Sequence, residues 1–208
     1  HLTVTFSALK MALVMPPASD LAGKVVVVPI GSPPSLVDNP EYRTSLIDAG
    51  LVRLALPSRP RDSHKGSFGH VFVVAGSRGK SGAALMTGIA AMRSGAGLAT
   101  LWLPESLQRE VIGKVPELMT ASLPENAEGA PQLAGCGKIL ASLKDADALV
   151  VGPGLTTSRG TRGLVHELIR NSSVPVVVDA DGINAFAGHP GELKNERGLP
   201  VIVTPHPG

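Results

Sequence analysis

The 208-residue chain carries 19 Lys and Arg against 17 Asp and Glu, a net charge of +2, and is 43% hydrophobic. With no basic stripe interleaved with aromatics, that balance sets nucleic acid aside as a partner, and the length suits one domain plus a piece of another. Cys136 is the only cysteine, which excludes a disulfide within the chain and fits a reducing, cytoplasmic setting.

The opening stretch, HLTVTFSALKMALVMPP, lacks the basic segment and small-residue cleavage site of a signal peptide. Nor does any apolar run approach the ~18 residues of a membrane span. A start on His rather than Met leads us to expect residues upstream. Thr3-Val4-Thr5-Phe6 alternates, and Val25 to Val28 is continuously β-branched, so both stretches predict strands. Two strands and a short helical stretch cannot bury a core alone. Residues 1–33 therefore look like the tail of a domain. Residues 34–63 look like a linker, because Pro33-Pro34, Asn39-Pro40, Pro57 and Arg59-Pro60-Arg61 disfavour regular structure. Leu51 to Leu56 predicts one short strand within it.

From His64 the texture changes to an alternation of apolar strands and helical stretches. The strands are His70–Ala75, Gly97–Trp102, Leu118–Ser122, Ala148–Val151, Pro175–Val178 and Val201–Val203. The helices are 82–94, 105–114, 133–143 and 161–170. Strands apolar on both faces, separated by helices, predict an α/β fold with a mostly parallel sheet covered on both sides.

In such a sheet, ligands sit outside the carboxyl ends of the strands, so the residues that follow each strand carry the functional reading. After Val74 comes AGSRGKSGAA, residues 75–84. Its glycines admit a ligand close to backbone, and Ser77, Ser81 and the next helix's free N–H groups can hold an anion. Lys80 either adds a charge or is solvated. The glycine spacing matches neither a Walker A loop nor GxGxxG. After Val151 comes GPGL, with Gly152 and Gly154 making a turn against which a flat ligand can lie. After Val178 comes DADGIN, where Asp179 and Asp181 could order a phosphate network or Mg²⁺, or one of them could merely cap a helix. The last strand runs into TPHPG, and His206 is a candidate donor or acid–base group near neutral pH. The ordinary alternatives are tight turns and a structural histidine. Met86 and Met92 read as core packing, and Asp145 and Asp147 as a solvated helix end. His64, His70, His166 and His189 show no metal-ligand spacing with Cys136.

Taken in order, HKGSFGHVFVVAGSRGKSGAALMTGIAAMRSGAGLATLWLP, PELM, GPGL, PVVVDADGIN and VIVTPHPG resemble the ADP/ATP-dependent NAD(P)H-hydrate dehydratase family across residues 64–208. TVTFSALK and GKVVVVPIGSP resemble the last strands of an NAD(P)H-hydrate epimerase domain, a Rossmann-like fold. The resemblance implies a ribokinase-like fold for residues 64–208, as the N-terminal part of a dehydratase domain. It implies a bifunctional nicotinamide-cofactor repair enzyme that consumes ADP or ATP with Mg²⁺, with K⁺ possible in the epimerase part, and that assembles as a homo-oligomer. Its partners would be hydrated NADH or NADPH and a nucleotide, with no membrane. By position, the hydrate contacts fall on Ala83, Gly152, Gly154 and His206, with Asp179, Asp181 and Asn184 near the phosphates. The family's glycine-rich GTGD segment, which carries the catalytic Asp, is absent from this sequence. We therefore expect a chain truncated at both ends whose isolated form does not turn over. Two other readings stay open: a small-molecule kinase of the same fold, and a non-catalytic nucleotide-binding fragment.

Overall fold

The computed structural model describes residues 1–56 and 58–206. Pro57, within the expected linker, and Pro207 and Gly208, the end of TPHPG, lie outside the described residues. The chain divides into a unit of His1–Arg59 and a second unit from Pro60 onward.

In the first unit, β1 (Leu2–Phe6), α1 (Ala18–Ala22) and β2 (Lys24–Val28) follow one another. β1 and β2 pair in parallel, Leu2 opposite Lys24 and Phe6 opposite Val28. Two strands cannot cover each other's faces, and Leu2 and Phe6 stay 63% and 53% exposed. Two short helices follow, α2 (Pro34–Val37) and α3 (Ala49–Ala55). α3 corrects the expectation of a strand at Leu51–Leu56. The apolar run there suits either period, and the local hydrogen bond decides: the Asp48 carboxylate accepts from the Leu51 N–H at 2.8 Å, capping a helix.

The second unit runs β3 (His70–Val74), α4 (Ser81–Ser94), β4 (Leu98–Pro104), α5 (Glu105–Val111), β5 (Met119–Leu123), α6 (Cys136–Ser142), β6 (Ala148–Val151), α7 (Arg159–Asn171), β7 (Val176–Asp179), α8 (Asp181–Asn184) and β8 (Val201–Thr204). Among the described residues the strands form one six-stranded sheet in the order β5-β4-β3-β6-β7-β8, every pairing parallel. The chain builds outward from β3 to β5, returns beside β3 as β6, and builds outward the other way. The loops after β3 and β6 therefore leave in opposite directions, which makes this the switch point where such sheets bind ligands.

Residue alternation assigns the two faces. Val73, Leu101 and Leu103 pack with Ala84, Leu107 and Val111 from α4 and α5. Phe72, Val74, Leu149 and Val151 pack with Ile139 of α6 and with Leu164, Val165 and Leu168 of α7. α7 carries its apolar residues at helical spacing and opens on Ser158, whose Oγ accepts from the Thr161 N–H. Met86 departs from its expected core role, since it is 67% exposed on α4. Asp147 is more than a solvated helix end, because it accepts from the His70 N–H at 2.8 Å and anchors the start of β3.

Packing makes one glycine indispensable away from the crevice. A Cβ on Gly97 would fall 1.6 Å from the Lys65 carbonyl oxygen, which is backbone and cannot swing aside. We expect Gly97→Ala to cost about 1–3 kcal/mol, the range for overpacking, read as a lowered midpoint in urea unfolding. Cys136 is buried, and burial, reinforced by the Glu167 charge, pushes its thiol up to about 11. The thiolate is the reactive form. Native protein should therefore resist a thiol reagent at mildly alkaline pH and react only on unfolding, and rapid labelling of the folded chain would contradict the burial.

Candidate active site at the switch point of the sheet

Three loops meet at the carboxyl ends of β3, β6 and β7. The first, Ala75–Lys80, enters α4, and the Ser77 hydroxyl donates to the Gly154 carbonyl at 2.7 Å. The Gly76 N–H donates to the Pro153 carbonyl at 2.8 Å. Ser77 is buried and spends its hydroxyl on this tie, so it joins two loops and is not the anion donor expected from the sequence.

The second loop is the Gly152–Gly154 turn. Gly152 has φ +131°, and a Cβ there would lie 1.8 Å from the Asp179 carbonyl oxygen and 2.7 Å from the Gly182 nitrogen. Bare backbone at this position lets the β6 and β7 loops touch. Gly154 has φ +68°, and a Cβ on it would reach the Cβ atoms of Ala83 and Lys80 at 3.1 Å. Ala83, on the first turn of α4, thus faces the glycine turn directly. The N-terminus of this 14-residue helix supplies unpaired N–H groups and the positive end of its dipole.

The third loop starts with Asp179, whose Oδ1 accepts from the Thr204 hydroxyl of β8 at 2.8 Å. Asp181 Oδ2 accepts from the Thr156 N–H at 2.8 Å and pairs with Lys80 Nζ at 3.3 Å. Its Oδ1 accepts from the Asn184 amide at 3.3 Å. Burial works to raise the Asp181 pKa, but the Thr156, Asn184 and Lys80 bonds together outweigh it and hold the carboxyl below its ordinary 3.8. A depressed carboxyl stabilises the fold at every pH above its ordinary value, and that contribution is lost as pH falls from there through the folded value. We expect the unfolding free energy of Asp181→Asn to be less acid-sensitive than wild type below about pH 4, with the two slopes merging above it.

The structure therefore brings Ala83, Gly152, Gly154, Asp179, Asp181 and Asn184 together. His206 is exposed and lies two residues beyond the end of β8, which is in register with β7 at Asp179–Thr204. Thr156 escaped the sequence reading. It has φ +73°, a handedness that a β-branched residue does not announce. Among the described residues no three His, Cys, Asp or Glu side chains gather as a metal site, and both Asp181 oxygens are engaged. No helix among the described residues is long and apolar enough to cross a membrane. A wide recess lined by Met11, Met15, Leu36, Tyr42 and Leu46 belongs to the first unit. Its lining carries Asp38 and Glu41 beside Lys10 and Arg43, but no glycine turn.

The chain is similar to known proteins over most of its length. A family model described as NAD(P)H-hydrate dehydratase matches residues 71–208. The bifunctional NAD(P)H-hydrate repair enzyme Nnr of Moorella thermoacetica is 40% identical over 206 residues, covering 99% of this chain and 39% of the relative. The Salinibacter ruber enzyme of the same description is 36% identical over 211 residues, covering 99% of this chain and 39% of that one. This chain thus spans about two-fifths of the length of these relatives. Among solved structures, an ADP/ATP-dependent NAD(P)H-hydrate dehydratase from Bacillus subtilis, co-crystallised with ATP/Mg²⁺, is 28% identical with a TM-score of 0.52, covering 76% of this chain and 52% of its own. A Streptococcus mutans structure at 24% identity and TM-score 0.61 covers 78% of this chain and 55% of its own, and shares the fold. With more than half of its residues matched by the family model, the chain belongs to the NAD(P)H-hydrate dehydratase family.

Proposed function

We propose that this chain forms the hydrate-side wall of a nucleotide-dependent dehydratase that returns hydrated NADH or NADPH to the reduced cofactor. The observation that carries the reading is the Gly152–Gly154 turn, whose bare backbone lets the loops after β6 and β7 and the first turn of α4 close on one another at the switch point. On this reading Ala83, Gly152 and Gly154 border the hydroxylated nicotinamide, and His206 donates to it or takes its proton. Asp179, Asp181 and Asn184 stand on the phosphate side, and the N-terminus of α4 offers N–H groups to an anion. The nucleotide is ADP or ATP, and magnesium arrives coordinated to its phosphates, the usual way that ion is held. The hydrate's hydroxyl oxygen takes the terminal phosphoryl group. The C–O bond then breaks with loss of phosphate and of a proton from the adjacent ring carbon, which restores the ring double bond. This chain's contribution is to bind and orient the ring while excluding water from it.

Residues 1–33 are, in the same reading, the tail of an epimerase domain, with 34–63 a linker and 64–208 part of the dehydratase domain. Support comes from extent: the family model begins at residue 71, whereas the bifunctional Moorella relative aligns over 99% of the chain. We place the protein in the cytoplasm, as a homo-oligomer.

Product analysis on the full-length protein tests the function. Incubation with hydrated NADH and ADP or ATP should return the absorbance of reduced nicotinamide, with one phosphate released for each ring restored. A product that keeps its phosphate would mean a small-molecule kinase instead.

A further inference from the structure

Among the described residues, the Asp181 carboxylate is the one side chain that bonds to residues of the other two loops at once. Its oxygens take the Thr156 N–H at 2.8 Å from the loop after β6 and Lys80 Nζ at 3.3 Å from the loop after β3. The Asn184 amide, at 3.3 Å, fixes the carboxylate from its own turn. The backbone around it is strained. Thr156 at φ +73° and Ala180 at φ +48° lie in the left-handed region, which costs non-glycine residues on the order of 1–3 kcal/mol each. Thr156 is β-branched, and the Thr156 hydroxyl is buried with no hydrogen-bond partner among the described residues. Its side chain therefore does not account for its conformation. The main-chain bond to Asp181 does.

We propose that Asp181 is a positioning residue, not a phosphate or metal ligand: its carboxylate holds Thr156 left-handed and Lys80 against the glycine turn, so that the crevice is set before substrate arrives. This rests on the functional reading above and assigns Asp181 a different task within it. Asp181 acts through Thr156 and Lys80. Lys80, whose side chain is half exposed, keeps donor capacity toward the crevice. The Gly154 turn, seated on the Cβ atoms of Lys80 and Ala83, inherits its position from the same anchor.

The test uses the full-length protein with Asp181→Ala, Asp181→Asn, and Asp181→Ala combined with Thr156→Gly. Two readouts are taken: amide exchange of residues 152–158 without ligand, and affinity for hydrated NADH. Asp181→Ala should speed exchange and weaken binding, each by roughly tenfold or more, the order of a lost charge-assisted hydrogen bond. Asp181→Asn keeps an oxygen for the Thr156 N–H and should retain most of the exchange protection. Adding Thr156→Gly to Asp181→Ala should restore binding to within about threefold, because glycine adopts positive φ without help. Binding lost with exchange unchanged, or a loss that Thr156→Gly does not relieve, would make Asp181 a direct ligand contact and overturn the proposal. Unchanged exchange and binding in Asp181→Ala would overturn it equally. If wild type fails to bind hydrated NADH, the functional reading falls, and the exchange measurements alone decide the anchor.

Discussion

Gly152→Ala is expected to be the most damaging single-methyl change in the chain. The new Cβ would stand 1.8 Å from the Asp179 carbonyl oxygen and 2.7 Å from the Gly182 nitrogen, both main-chain atoms, at φ +131°. Overpacking and a disfavoured backbone angle each cost on the order of 1–3 kcal/mol. Together they take about 2–6 kcal/mol from a fold whose whole stability is of the order of 5–15. Relief requires the β6 and β7 loops to part, and these are two of the three loops that make the crevice. Hydrate binding should therefore fall below detection even at temperatures where circular dichroism still reports native structure. Gly82→Ala is the matched control. Nothing lies within 4 Å of its added Cβ, and it sits in the first turn of α4, so alanine should be neutral or mildly stabilising. Equal losses in the two variants would show that the crowding at Gly152 is not real.

The second large effect is on affinity rather than folding. His206→Ala should weaken binding of hydrated NADH roughly tenfold or more, the order for a lost hydrogen bond to a polar ligand group. Because His206 is exposed, its stability should stay within about 0.5 kcal/mol of wild type, as surface substitutions do. Gly154→Val should weaken binding as well, by driving a branched side chain against Ala83 and Lys80, both 3.1 Å from its first carbon. Titration calorimetry on the full-length protein reads both affinities, and thermal unfolding separates the two, since only Gly154→Val should also lower the unfolding midpoint. Unchanged affinity in both variants would remove Ala83, Gly154 and His206 from the binding face together.

How much of this was legible in the sequence depended on how local each cause is. The strands of the second unit announce themselves because a parallel strand buried on both faces must be apolar throughout. Val71 to Val74 and Val176 to Val178 satisfy that. The glycine loops were legible for the same reason, since only glycine fits where Gly152 abuts Asp179. Leu51 to Leu56 misled, because an apolar run suits either period and the deciding bond comes from Asp48, outside the run. Ser77 looked like an anion donor because a hydroxyl after a strand often is one, and its partner, the Gly154 carbonyl, lies 77 residues away. The handedness of Thr156 and the union of Lys80 with Asp181, 101 residues apart, are products of the strand order. That order, with β6 returning beside β3, is set by packing and not by neighbouring residues.

The claim on which the rest depends is that hydrated nicotinamide lies at the switch point. A crystal structure of the full-length protein with hydrated NADH tests it most directly. The account predicts the hydroxylated ring against Ala83 and the Gly152–Gly154 turn, with His206 within hydrogen-bond distance and Asp181 still bonded to Thr156 and Lys80. A ring seated elsewhere, for example in the recess beside Met11 and Tyr42, with the glycine turn bare, would contradict it.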